Sequence, residues 1–215
     1  TLDNLPPNQQ VAEIEKFGID VVAGATYTNT YPSAHVLRWD TVSPSYIADD
    51  DIPEIGVNAF IPTDNYMFVQ AGNQGRLYYY DGSKLQKKRK IQGDYNNKTM
   101  QMYPGSQTSF RGVATFGISN LSGNPCLEGI YTYSQYDNNY PLSLMLEYVP
   151  SQNSTGTMEI GAMLGIGTSL VVAFRDKNSG TIVGVDNIAW GTKFSQAYLK
   201  TLQIGGNRRA KKTFE

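Results

Sequence analysis

An all-β fold of short antiparallel four-stranded blades, arranged as in a β-propeller, is what this sequence predicts. Three observations lead there. Beyond residue 17 the chain is a string of short apolar or alternating runs, cut by Gly, Pro, Asn and Asp at strand-like intervals. Tyr is abundant, with 15 residues, while only 17% of the chain is charged; Tyr forms strands readily, and its hydroxyl suits a half-buried face. One stretch, 57–91, holds four strand-and-turn units in succession, the content of one propeller blade. A β-sandwich is the alternative architecture.

Residues 1–17 read as a polar lead-in, where the spacing of Val11, Ile14 and Phe17 predicts a short helix over Gln9–Phe17. Residues 18–215 read as a single propeller-like domain. Ile19–Ala25 and His35–Asp40 are parts of a first blade. The clearest blade follows, with strands Val57–Ile61, Tyr66–Ala71, Arg76–Tyr80 and Leu85–Ile91. Its turns, Thr63-Asp64-Asn65, Gly72-Asn73-Gln74-Gly75 and Asp81-Gly82-Ser83, supply the positive φ that tight hairpins need. Phe110–Ile118, Gly129–Tyr133 and Leu142–Val149 make a third blade; Met158–Leu164, Ser169–Phe174 and Thr181–Val185 make a fourth, with Gly165-Ile166-Gly167 as a hairpin turn. Ser195–Ile204 is a further strand, with a partner starting at Lys211, so the chain is expected to be incomplete at both ends and to continue beyond Glu215.

Composition excludes several function classes. A net charge of −1 gives no field for a dedicated nucleic-acid binder. One Cys (Cys126) and one His (His35) leave no disulfide framework and no His/Cys metal cluster. There is no secretory signal pattern and no apolar run long enough to span a bilayer, and no cofactor motif appears. The sequons at Asn97, Asn120 and Asn153 matter only for a protein secreted by a eukaryote.

Catalytic parts are few. A Ser-His-Asp or Cys-His hydrolase would have to use His35, which alternation places on one face with Leu37 and Trp39, as a structural residue. Asp49-Asp50-Asp51 with Glu54 lacks the spacing of a calcium loop and reads as an exposed acidic turn. Glycoside hydrolysis needs only two carboxylates, for which Asp20, Glu159 and Asp186 are the candidates nearest to inner strands. Lys84, Lys87, Lys88, Arg89 and Lys90 form a basic strand, and such charges keep edge strands from pairing. The strongest site signal is aromatic: Tyr131, Tyr133, Tyr136 and Tyr140 offer flat, amphipathic surfaces for a sugar or a protein.

Two stretches resemble a known family. Val36-Leu37-Arg38-Trp39-Asp40-Thr41 and the run 57–82, with Gly75-Arg76-Leu77-Tyr78-Tyr79-Tyr80-Asp81-Gly82 at its end, are similar in style to blades of propeller domains in virion proteins of tailed bacteriophages. Ala197-Tyr198-Leu199-Lys200-Thr201 resembles a closing strand of such domains. The resemblance covers most of the chain from Gly18 onward, and it carries no catalytic residue across. It implies a non-enzymatic tail or tail-associated protein in a symmetric oligomer, meeting other virion proteins and a host surface glycan or receptor. A carboxylate-dependent glycan-processing propeller and a cellular carbohydrate-binding module are the alternatives.

Overall fold

The computed structural model describes residues 8–27, 33–63, 66–91, 101–119, 128–135, 142–150, 158–176 and 182–189. Among them the fold is all-β, in four antiparallel meanders of three or four strands. The first sheet runs β1 (Gln9–Phe17), β2 (Asp20–Tyr27), β3 (Ala34–Trp39) and β4 (Ala48–Ile52). The second runs β5 (Val57–Pro62), β6 (Met67–Ala71), β7 (Arg76–Tyr80) and β8 (Leu85–Lys90). A short 3₁₀ turn, Pro104–Ser106, leads into the third: β9 (Gln107–Phe110), β10 (Val113–Ile118), β11 (Gly129–Ser134) and β12 (Ser143–Tyr148). The fourth holds β13 (Met158–Ile166), β14 (Ser169–Asp176) and β15 (Val183–Ala189). No helix among the described residues is long and apolar enough to cross a membrane.

The expected helix at Gln9–Phe17 is a strand. It pairs with β2 from Gln9↔Tyr27 to Phe17↔Asp20, so residues 9–17 belong to the first sheet and are no lead-in. Ile14, the middle of the supposed helical face, is 63% exposed, whereas Glu13 is buried. Pairing across the Gly18-Ile19 turn, where Gly18 has φ +63°, overrides a weak helical spacing. The expected strand Phe110–Ile118 is a hairpin. Arg111 and Gly112 both take positive φ (55° and 73°), the two-residue turn whose twist matches the flanking strands. Arg is an unusual occupant of that conformation, and so the turn does not announce itself. The turn expected at Gly165-Ile166-Gly167 lies later, since Gly165 and Ile166 are still paired in β13. The strands expected beyond Ser195 fall outside the described residues.

The sheets meet in chain order through their first strands: β1 touches β5, β5 touches β9 and β9 touches β13. Each boundary is apolar. Val22, Val36 and Ile52 of the first sheet pack with Val57, Phe60 and Val69 of the second. Ile61, Phe68 and Leu77 of the second pack with Ala114, Phe116 and Tyr133 of the third. Phe110 and Ile130 of the third pack with Ile160, Val172 and Phe174 of the fourth. Glycine permits the closest approaches, because a Cβ on Gly24 of β2 would sit 2.6 Å from Val57 Cγ1, and one on Gly117 of β10 would overlap Ile160.

The first strands β1, β5 and β13 each carry a register shift, at Val11/Glu13, Val57/Ala59 and Ile160/Ala162. Side chains of the preceding sheet or its loops take up backbone groups there. Phe60 N–H donates to Glu13 Oε2 (2.5 Å), Ile160 N–H to Ser119 Oγ (2.8 Å) and Met158 N–H to Glu128 Oε2 (2.8 Å).

Candidate functional site

Two of the four tyrosines expected to form a binding surface are core residues. Tyr131 and Tyr133 lie on β11, a strand covered on both faces, and are 6% and 4% exposed. Tyr133 packs on Phe68 of the second sheet (ring centroids 4.8 Å apart), and Tyr131 stacks on Phe116 (6.4 Å). Their faces are spent on the boundary between sheets and are not presented to a ligand. Tyr136 and Tyr140 fall outside the described residues. On β7 the alternation holds: Tyr78 and Tyr80 are core, while Tyr79 faces the other way, beside Tyr66 and under the Lys88 ammonium.

The candidate carboxylates are each engaged and lie apart in the fold. Asp20, on β2, accepts from Arg38 Nε (2.6 Å), and the same guanidinium donates to Gly82 O across the sheet boundary. Asp186, on β15, accepts from Tyr148 OH (2.6 Å). Glu159, on β13, is 3% exposed and accepts from Arg175 Nε (2.5 Å) and Tyr103 OH (2.8 Å). Glu159 and Arg175 line an open cleft of about 430 Å³ with Tyr103, Gly161, Ala162 and Ala173. Burial and the Glu159 charge push the Tyr103 hydroxyl up to about 12, the opposite of an activated nucleophile.

A similar cluster around Glu54 has no local signature in the sequence. Expected in an exposed acidic turn, Glu54 is buried, accepting from Arg76 NH1 (2.6 Å) and Tyr78 OH (3.0 Å). The three aspartates before it form no turn either. They lie on β4, the edge strand of the first sheet, where Asp49 and Asp51 share a face with His35 and each reaches its Nδ1 (2.7 and 2.9 Å). The basic strand is β8, an edge strand of the second sheet.

A second cleft, about 520 Å³, opens between the first two sheets. Gln10, Thr26, Asn58, Asn73 and Gln101 line it with Ile55. Its polar groups are neutral amides and a hydroxyl, able to hydrogen-bond but not to move protons near neutral pH.

The most distinctive surface is the outer face of the fourth sheet. Alternation on β14 sends Leu170, Val172 and Phe174 into the boundary with the third sheet and Val171 and Ala173 outward. The register Ala162↔Ala173↔Val185 and Leu164↔Val171↔Asn187 builds one contiguous outer face. Leu164, Ile166, Val183 and Val185 on it are 60%, 58%, 68% and 67% exposed. The Glu159–Arg175 pair stands at its rim, an apolar centre with a charged border of the kind interfaces have. A signal for it existed in the sequence: the unbroken apolar run Leu170–Phe174 is what a strand covered on both faces requires. Comparison of the chain with protein-family models and with curated proteins finds no match.

Proposed function

We propose that this chain is a non-enzymatic structural and binding module of a tailed-phage virion, β-propeller-like in architecture. In this reading it works by packing the outer face of its fourth sheet against a further β-sheet presented by a neighbouring virion protein. The observation that carries the reading is that face. Three successive sheet boundaries are apolar surfaces closed by the next sheet, and the fourth sheet offers a surface of the same kind, with four large aliphatic side chains more than half exposed. A sheet is the natural occupant, since one closes each of the other three boundaries. The succession β1, β5, β9 and β13 at those boundaries supports blades that share an inner rim, as in a propeller, over two sheets of a sandwich. The virion assignment rests on the resemblance of the strands at 36–41 and 57–82 to phage propeller blades.

The engaged state of Asp20, Glu159 and Asp186 supports a role without catalysis, because glycoside hydrolysis needs two carboxyl groups facing one bond. The neutral amide cleft beside Asn58 and Asn73 supports a glycan contact as a second binding surface.

Electron microscopy of the full-length protein, alone and in its native assembly, tests this reading. A ring-shaped domain held in a symmetric particle is expected, with Leu164→Glu and Val185→Asp blocking incorporation while the chain stays folded. A free monomer that cleaves a glycan, or incorporation untouched by both substitutions, overturns it.

A further inference from the structure

We propose that His35, Asp49 and Asp51 form a binding site for a first-row divalent cation, with Zn²⁺ the best fit. The three donors come from two adjacent strands. His35 stands directly opposite Asp51 in the β3–β4 register, and Asp49 lies two residues along β4 on the same face. Their donor atoms all lie within 4.8 Å of one another. Nδ1 of His35 is 2.7 Å from Asp49 Oδ1 and 2.9 Å from Asp51 Oδ1. Ligands held about 2.0–2.1 Å from a tetrahedral Zn²⁺ stand about 3.4 Å apart, so the imidazole and each carboxylate must part by roughly half an ångström to admit the ion.

Charge argues for a cation here. Among the described residues Asp49 and Asp51 form ion pairs with His35, and no Lys or Arg there bridges to either of them. A single imidazole thus faces two carboxylates, leaving the trio with a net negative charge even when the ring is protonated. Arg38, the nearest cation in sequence on β3, is committed to Asp20 and Gly82. One divalent ion neutralises both carboxylates at once.

The trio is more than an acidic surface cluster, because its nitrogen donor is held inside the fold. His35 is 8% exposed, between Ala25 on one side and the two aspartates on the other. Side-chain exposure then grades outward, from 11% at His35 through 29% at Asp49 to 80% at Asp51. The anchor is fixed, the site opens at the free edge of β4, and the remaining positions of the ion face water. One imidazole with two carboxylates is a mixed nitrogen–oxygen set. Such a set favours Zn²⁺ over Mg²⁺ or Ca²⁺, which gain little from a nitrogen ligand.

The experiment titrates Zn²⁺ into the chelator-treated full chain by calorimetry and follows the imidazole resonances by NMR. His35 is the sole histidine, so those resonances report this site alone. One equivalent is expected to bind and to shift them. Asp51→Asn, a change at a well-exposed side chain, is expected to weaken binding at least tenfold with the circular dichroism spectrum unchanged. Asp50→Asn, on the opposite face of β4, is expected to change affinity less than threefold. Imidazole resonances unmoved by Zn²⁺, whether or not heat is released elsewhere, would show an ion pair without a metal and overturn the proposal. So would equal affinity in the wild type and Asp51→Asn.

Discussion

Glu13 of β1 accepts the Phe60 amide proton of β5 at 2.5 Å, joining the first two sheets through a buried carboxyl. Gln107 of β9 donates its side-chain amide to the other oxygen at 2.6 Å, so one group touches the first strands of three sheets. Burial, aided by Glu15, outweighs those hydrogen bonds and raises the Glu13 pKa from 4.5 to about 8.

That shift sets a pH dependence. At neutral pH Glu13 is protonated in the fold and ionised in the unfolded chain, so unfolding releases a proton. Its contribution is therefore full below pH 4.5 and is lost as pH rises through 8. At about 1.4 kcal/mol per unit, the change reaches at most ~4–5 kcal/mol between pH 4 and pH 9. Thermal melts at pH 5, 7 and 9 should show the wild-type midpoint falling and a Glu13→Gln midpoint falling far less. Parallel curves for the two proteins would rule the assignment out.

Gly24 and Gly18 should respond to alanine for different reasons. At Gly24 the new Cβ would stand 2.6 Å from Val57 Cγ1 and 2.8 Å from its Cβ, an overpacking expected to cost about 1–3 kcal/mol. At Gly18 nothing lies within 4 Å, and the cost, about 1 kcal/mol, comes only from φ +63°. Val57→Ala should recover part of the Gly24→Ala loss and none of the Gly18→Ala loss. Urea denaturation of the double-mutant cycles measures this, and equal coupling at both glycines would refute it.

The strands were legible where both turn and strand chemistry were local. Arg76–Tyr80 is the strand that the sequence predicts, because Gly72, Gly75 and Gly82 take positive φ at the turns that bound it. The four strands of the second sheet were legible as one unit for the same reason, whereas β1 and β4 of the first sheet read as a helix and a turn. What stayed hidden depends on partners remote in sequence. Glu13 is a strand residue because of β2 and a buried one because of Phe60 and Gln107, which lie 47 and 94 positions away. Tyr131 and Tyr133 look like surface aromatics until the second sheet covers them. The Asp49–Asp51 run looks like a turn until β3 pairs with it and His35 gathers two of its side chains.

Removing Arg76 should expose the cost of Glu54. The carboxylate is buried, and Arg76→Met leaves it only the Tyr78 hydroxyl from this pair of donors. Because the Arg76 side chain is 29% exposed, solvent shares the load, and about 1–3 kcal/mol is the expected loss. Adding Glu54→Gln removes the stranded charge and should restore more than half of it. A double variant no more stable than Arg76→Met in chemical denaturation would show that the ion pair is not the source.

Tyr133 separates a core role from a recognition role. Its ring closes on Phe68 across the boundary of the second and third sheets, and burial pushes its hydroxyl pKa up. Tyr133→Phe keeps the ring and should cost less than about 1 kcal/mol, whereas Tyr133→Ala empties the boundary and should cost about 3–5 kcal/mol. Partner binding, measured below the lowered melting point, should match wild type in both variants, because neither changes the outer face of the fourth sheet. If Tyr133→Phe instead weakens binding while stability is unchanged, the hydroxyl is a contact group. The third sheet would then open in the bound state, since a ring 4% exposed cannot otherwise reach a ligand.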